Sequence, residues 1–313
     1  MAILKPKKLK KGDLIGIISP ASTPSDLSKI EKGVKYLESL GYRVEVGENV
    51  GKEHGYLAGS DDERLNDFHA MFKNKDVKAI FSVRGGYGSG RLLDKINYSL
   101  IKRNPKIFVG YSDITALHLA LFKKAGLLTF AGPMLATDFS GKINTFAEEN
   151  FWRILTSSKK IGKLHNPNGE KFYVLNSGRA EGNILGGNLA VLTSIMGSEY
   201  FPSFKNSILF LEDIGETPYK IDRFFNQLKL AKIFNQTNGV ILGRFTDCYE
   251  KDKSKSTIKL NEVIDHYFSK LKIPVIYNFS HGHIKENITI PIGLNCKLNS
   301  SRCFVEITES AVI

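Results

Sequence analysis

Ser112 is the residue in this chain whose surroundings best suit nucleophilic chemistry. It stands in Tyr111-Ser112-Asp113, after the apolar run Ile107-Phe108-Val109-Gly110. The stretch that follows, Ile114-Thr115-Ala116-Leu117-His118-Leu119-Ala120-Leu121-Phe122, is long enough for more than two helical turns. A serine on a sharp turn between a buried strand and a helix start has an exposed hydroxyl beside unpaired backbone N–H groups. That arrangement suits an attack that builds negative charge on a carbonyl oxygen. The match to the G-x-S-x-G elbow is partial, because Gly110 stands two before the serine but Ile114 stands two after it. Taken alone, Ser112 and Asp113 also read as an ordinary helix cap.

A serine nucleophile needs a base, and the base needs a group that orients it. One source of an acid is Ile208-Leu209-Phe210-Leu211-Glu212-Asp213-Ile214-Gly215-Glu216, an apolar strand ending in two adjacent carboxylates. A source of the base is Asn278-Phe279-Ser280-His281-Gly282-His283, a loop after the short strand Val275-Ile276-Tyr277. Serine, acid and histidine each fall at the end of a strand pattern, and in an α/β sheet such ends line one crevice. The order serine, acid, histidine is one that α/β hydrolases use. The local pattern leaves the acid open among Glu212, Asp213 and Glu216. His281 and His283 are two apart, so only one of them faces a given site from an extended chain, and spacing does not choose between them. The same histidines with Glu212 also have the donor types of a zinc site, a reading that leaves the serine unexplained. His118 shares a helix face with Ile114, Leu117 and Leu121 and reads as a hydrogen-bonded core histidine.

The oxyanion would need two donors. The backbone N–H of Asp113, the residue after the nucleophile, is one candidate. The other is Gly86 in Arg84-Gly85-Gly86-Tyr87-Gly88, where bare backbone follows the strand Ala79-Ile80-Phe81-Ser82-Val83 and approaches a ligand closely. This turn lacks the lysine of a phosphate-binding loop. The Asp113 side chain reads as a structural helix cap.

Arg84 to Gly88, Gly110-Tyr111-Ser112-Asp113, Leu211-Glu212-Asp213 and Gly282-His283 with Pro291-Ile292-Gly293 after it resemble, in this order, the motifs of the LD-carboxypeptidases. These serine peptidases include the muropeptide LD-carboxypeptidases and the microcin C immunity peptidases. The resemblance runs from Ile17-Ile18-Ser19-Pro20-Ala21 to the final strand. It implies a catalytic triad of Ser112, His283 and Glu212, and it suggests a homodimer; no cysteine or histidine cluster calls for a metal, and no cofactor is expected. It further implies that the substrate is a small peptide, a murein tetrapeptide that loses its terminal D-alanine during cell-wall recycling. The microcin branch cleaves a peptidyl-nucleotide amide with the same triad. Residues 164–178 contain no tryptophan to stack on a nucleotide base, and Trp152 lies in a helix pattern, which favours the murein peptide. A reading of another class is a non-enzymatic protein whose two domains close on a small ligand.

The elements that must position these groups alternate in the first half. Leu14-Ile15-Gly16-Ile17-Ile18 reads as a strand; Ile30, Val34 and Leu37 mark one helix face, which Gly41 ends. Arg43-Val44-Glu45-Val46 reads as a strand and residues 61–72 as a helix, and two more strands end before Arg84 and Ser112. Such alternation predicts a parallel sheet covered by helices. The boundaries expected are an N-terminal α/β domain at 1–155 carrying the nucleophile, a crossover at 156–178, and a C-terminal domain at 179–313 carrying acid and base. The expected fold class is α/β: a Rossmann- or flavodoxin-like parallel sheet first, then a mixed or barrel-like small sheet. In the second part, Asn188 caps a helix, Thr217-Pro218 starts another, residues 258–271 form a third, and short strands fall at 288–290, 294–297 and 303–307.

The 313 residues suffice for one large domain or two of ordinary size. The net charge of +12 is spread along the chain; its clusters, Lys5 to Lys11 and Lys251 to Lys259, carry neither interleaved aromatics nor a nucleic-acid motif. The expectation is a solvated basic surface and no nucleic-acid partner. No uncharged apolar stretch of about 18 residues occurs, so no membrane span is expected. The first residues lead into no apolar region of signal-peptide length, so cytoplasm is the expected compartment. Cys248, Cys296 and Cys303 form neither a disulfide framework nor a C-x-x-C pair.

Overall fold

Short, mainly apolar strands alternate with helices through the first 131 residues, and strands of that kind are buried on both faces of a parallel sheet. The computed structural model describes residues 3–313, apart from the side chain of Asn168. Its strands are, in the first part, β1 (Leu14–Ile18), β2 (Arg43–Val46), β3 (Val77–Ser82), β4 (Ile107–Gly110) and β5 (Thr129–Ala131). They continue with β6 (Gly162–Leu164), β7 (Tyr173–Asn176), β8 (Arg179–Asn188), β9 (Ser207–Ile214) and β10 (Gly239–Thr246). The last are β11 (Val275–Tyr277), β12 (Ile290–Ile292), β13 (Asn295–Asn299) and β14 (Phe304–Ile307).

Two sheets result. The first has the order β12-β5-β4-β3-β1-β2 and is parallel except for β12, which runs antiparallel to β5. Its parallel part has the flavodoxin-like order, with the reversal between β1 and β3, where such sheets bind ligands. The second, β6-β14-β13-β8-β9-β10-β11-β7, is parallel from β8 to β11 and antiparallel at both ends. Of the two forms expected it is the mixed one; β6 and β7 are its edges and it does not close into a barrel.

Helix ends follow local chemistry. The helix Asp61–Lys73 opens with a reciprocal capping box between Ser60 and Glu63. Thr115–Ala125 stops at Gly126, whose φ of 71° is the left-handed cap conformation. Leu189–Ser194 is capped by Asn188, whose Oδ1 accepts from the Val191 N–H. Pro218 begins its helix as expected, but the Thr217 side chain makes no capping bond.

Several expected boundaries move. The strand expected at 288–290 is β12, two residues later, because its register is set by pairing with β5 rather than by its own pattern. The third helix of the second part spans only Leu260–Phe268. Residues 156–178, expected as a crossover, supply β6 and β7, the two edges of the second sheet. No described helix is long and apolar enough to cross a membrane.

Candidate active site

Ser112 follows β4 directly and begins a short 3-10 turn, Ser112–Ile114, which runs into the helix Thr115–Ala125. Its φ is +63°, a left-handed conformation that costs a non-glycine residue energy and is held only by its surroundings. Gly110 makes the turn possible: a Cβ there would lie 2.8 Å from Ile114 Cγ1. Ile114 therefore occupies, by packing onto Gly110, the place where a full elbow motif has its second glycine.

The glycine turn after β3 closes on this serine. A Cβ on Gly85 would lie 2.9 Å from Ser112 Cβ, 3.1 Å from its Oγ and 3.3 Å from the Asp113 nitrogen. Gly86, at φ +110°, packs against Ser22, whose Oγ accepts from the Tyr87 N–H at 3.1 Å. The Gly86 N–H donates to no protein acceptor among the described residues. Beyond the turn, the Ser89 N–H donates to Asp113 Oδ2 at 2.8 Å, and Ser89 Oγ donates to the Asp113 carbonyl at 2.6 Å. The Asp113 side chain is thus structural, but it ties the glycine turn to the serine turn and does not cap its own helix. Burial raises its carboxyl above the usual range, against the pull of the Ser89 hydrogen bonds.

The acid and the histidine come from the second part of the chain. Glu212, 1% exposed, lies near the end of β9, and its Oε2 is 2.8 Å from His283 Nδ1. Two glycines allow that approach. A Cβ on Gly282 would meet Glu212 Oε2 at 3.0 Å, and Gly282 has φ +134°; one on Gly243 would meet Glu212 Cβ at 3.2 Å. A carboxylate can only accept, so it fixes the proton on Nδ1 and leaves Nε2 with a free lone pair. Burial disfavours the His283 imidazolium, but the hydrogen bond and charge of Glu212, helped by Asp213 and Asp138, outweigh it and raise the pKa above 6.5. The edge of the Tyr111 ring packs on His283 with centroids 5.1 Å apart, which sets the imidazole beside the residue preceding Ser112. Ser112 Oγ and His283 are not hydrogen-bonded to each other in this structure. In free enzymes such bonds are often long and tighten when substrate binds.

The other candidates have different partners. His281 is buried; its Nδ1 bonds the Ile288 carbonyl and its ring meets Phe210 edge-on, and burial lowers its pKa to about 4. Asp213 accepts from Asn188 Nδ2 at 3.0 Å and from the Ala190 N–H at 2.9 Å, and burial beside Glu212 pushes its carboxyl up to about 7. Glu216 pairs with Lys220 at 2.9 Å. His118 bonds Thr129 and the Gly110 carbonyl in the core. His281, His283 and Glu212 do not converge on a point that a metal could occupy, and no other cluster of that kind occurs among the described residues.

A cavity of about 590 Å³ opens beside Ser112, with Gly86, Asp113, Asn188, Asp213 and Glu216 among its walls. The Asn188 N–H donates to Thr115 Oγ1 at 3.0 Å, so the end of β8 is fixed to the helix that follows the serine. Two contributors were missed in the sequence. Asp138, half-buried after β5, accepts from the Met134 N–H at 2.8 Å, and desolvation pushes its carboxyl up to about 6. Asn188 was read as a cap only. Asp138 carries no local signal, whereas Asn188 at the end of Gly186-Gly187-Asn188 could have been noticed as a strand-end polar group.

The fold and the comparisons together define a carboxypeptidase-family protein. The model of the LD-carboxypeptidase N-terminal domain matches residues 15–132, and that of the C-terminal domain matches residues 181–298. The chain belongs to the LD-carboxypeptidase family. It is 39% identical over 303 residues to a probable murein peptide carboxypeptidase of Bacillus subtilis, covering 95% of this chain and 92% of the relative. It is 33% identical over 332 residues to the microcin C7 self-immunity protein MccF of Escherichia coli, covering 96% and 94%. The crystal structure of a muramoyltetrapeptide carboxypeptidase from Oxalobacter formigenes superposes with a TM-score of 0.82 at 30% identity, covering 95% and 98%.

Proposed function

We propose that this chain is a serine carboxypeptidase that hydrolyses an L,D peptide bond and releases the terminal D-alanine of a murein tetrapeptide. The observation that carries the proposal is the left-handed Ser112 between β4 and a helix, with the Glu212–His283 pair brought to the neighbouring Tyr111.

In this mechanism His283 Nε2 takes the Ser112 proton as Oγ attacks the scissile carbonyl carbon. Glu212 holds the imidazole and stabilises the imidazolium that forms. The N–H groups of Gly86 and Asp113 receive the oxyanion. The imidazolium then protonates the leaving nitrogen, D-alanine departs, and an acyl-enzyme remains on Oγ. Water, deprotonated by His283, attacks that ester; its collapse frees the tripeptide and restores the serine. No step uses a metal or a cofactor. A cytoplasmic role in cell-wall recycling and a homodimeric assembly go with this reading.

The murein peptide is preferred to a peptidyl-nucleotide amide for two reasons. The relative at 39% identity carries a murein peptide name. Trp152, the one tryptophan of the chain, stacks on Tyr42 and donates to the Tyr36 hydroxyl, inside an aromatic cluster with Phe81, Phe139 and Phe151. It is not available to stack on a base. The test offers the purified chain a tetrapeptide ending in D-alanine and, separately, an aspartyl sulfamoyl adenosine. D-alanine release with the nucleotide untouched is expected. Cleavage of the nucleotide alone would assign the chain to the other branch. A fluorophosphonate that fails to label Ser112 would remove the serine mechanism.

A further inference from the structure

Carboxypeptidase action requires that a free carboxylate be recognised close to the scissile bond. On the proposed reaction, the carboxyl carbon of the leaving D-alanine is only two bonds beyond the scissile nitrogen. The walls of the cavity beside Ser112 contain one cationic side chain, Arg91, among the described residues.

The surroundings of Arg91 give it a surplus charge and a free edge. Asp61 accepts from Arg91 Nε at 2.9 Å and from Arg91 Nη2 at 3.0 Å. The same carboxylate is the partner of Arg64, which is 1% exposed and which also donates through Nη1 to the carbonyls of Pro20 and Gly88. One carboxylate thus serves two guanidinium groups, and the trio carries a net positive charge. The exposed member is Arg91, with its side chain 46% accessible. Its Nη1 has no acceptor among the described residues, so both Nη1 N–H donors and the second Nη2 N–H remain after Asp61 has fixed the plane of the group.

The acidic walls do not compete for those donors. Asp113 is engaged by Ser89, Asp213 by Asn188 and Ala190, and Glu216 by Lys220. The position of Arg91 is fixed from the same side as the serine. It lies in the 3-10 turn Ser89–Leu92, whose first residue is bonded twice to Asp113.

We infer that Arg91 is the specificity-determining residue that binds the terminal carboxylate of the substrate and so confines cleavage to the last peptide bond. The inference rests on the peptidase reading above. A planar, charge-assisted donor of this kind suits a carboxylate, and a terminal amide would leave it facing a neutral group.

The experiment compares kcat/KM for a murein tetrapeptide ending in D-alanine with that for its C-terminal amide, in the wild type and in Arg91→Gln. The wild type should prefer the acid by about 100-fold, the scale on which a site rejects a substrate lacking a charged partner. Arg91→Gln should lose about that factor on the acid, mainly through KM, and little on the amide, so that the preference collapses. Arg91→Lys should recover part of it. The Asp61 contact is exposed enough that the glutamine variant should melt close to the wild type. An unchanged preference for the acid in Arg91→Gln, or an equal loss on both peptides, overturns the assignment while leaving the peptidase reading intact. Turnover of neither peptide by the wild type would remove both.

Discussion

Gly85 and Ser112 are packed so closely that no side chain fits between them: a Cβ on Gly85 would sit 2.9 Å from Ser112 Cβ and 3.1 Å from the hydroxyl oxygen. The glycine turn therefore helps to hold the serine in its left-handed conformation. Gly85→Ala should displace Ser112 and lower kcat by at least about 100-fold, since small misplacements of a nucleophile are costly. It should also destabilise the fold by about 1–3 kcal/mol, as overpacking does. Gly141, whose added Cβ would meet nothing within 4 Å, provides the control, and Gly141→Ala should be neutral in both. Full activity in Gly85→Ala would show that the contact is dispensable.

The pH profile follows from the Glu212–His283 pair. The base must be neutral to accept the serine proton, and the folded structure raises the His283 pKa above 6.5. Activity should therefore fall on the acid side with a midpoint above that of an ordinary histidine. Glu212→Gln removes the charge and leaves burial, the opposing influence, in place. The midpoint should move down while kcat drops. A wild-type midpoint below 6.5, or one that the glutamine variant leaves in place, contradicts this assignment of the base.

The two histidines of the loop before β12 should separate by what they damage. His281 is buried against Phe210 and bonds the Ile288 carbonyl, so His281→Ala should cost about 2–4 kcal/mol of stability and keep substantial activity below its melting point. His283→Ala should melt near the wild type and lose turnover by about 10³-fold or more. Thermal melts with kcat/KM on both variants decide the matter, and the reverse pattern would exchange their roles.

Much of the frame was legible because it is local. The strand runs, the helix faces and the punctuating glycines are readable from periodicity alone, and so were the strand-end positions of Ser112, Glu212 and His283. What escaped is non-local. β12 looks like part of the second half, but it pairs with β5 and completes the first sheet, so the loop carrying His283 is held by β11 of the second sheet and by β12 of the first. No window of sequence contains that pairing. The link between Asp113 and Ser89 escaped for the same reason: an aspartate after a serine at a helix start resembles a cap, and its true partner is 24 residues away. Asp138 has no pattern at all, since the influence of its charge on His283 comes only from where the fold places it. Spacing does not separate His281 from His283; the family resemblance and the Glu212 bond are what favour His283.

The most direct measurement is D-alanine release from a murein tetrapeptide by the wild type and by Ser112→Ala, with a thermal melt of each. Turnover is expected in the wild type, with a loss of at least about 10³-fold in the alanine variant and the fold retained. Because alanine relieves no constraint on the turn other than the hydroxyl, the two melts should lie close together. Turnover by a folded Ser112→Ala chain within about tenfold of the wild type would show that the serine is not the nucleophile.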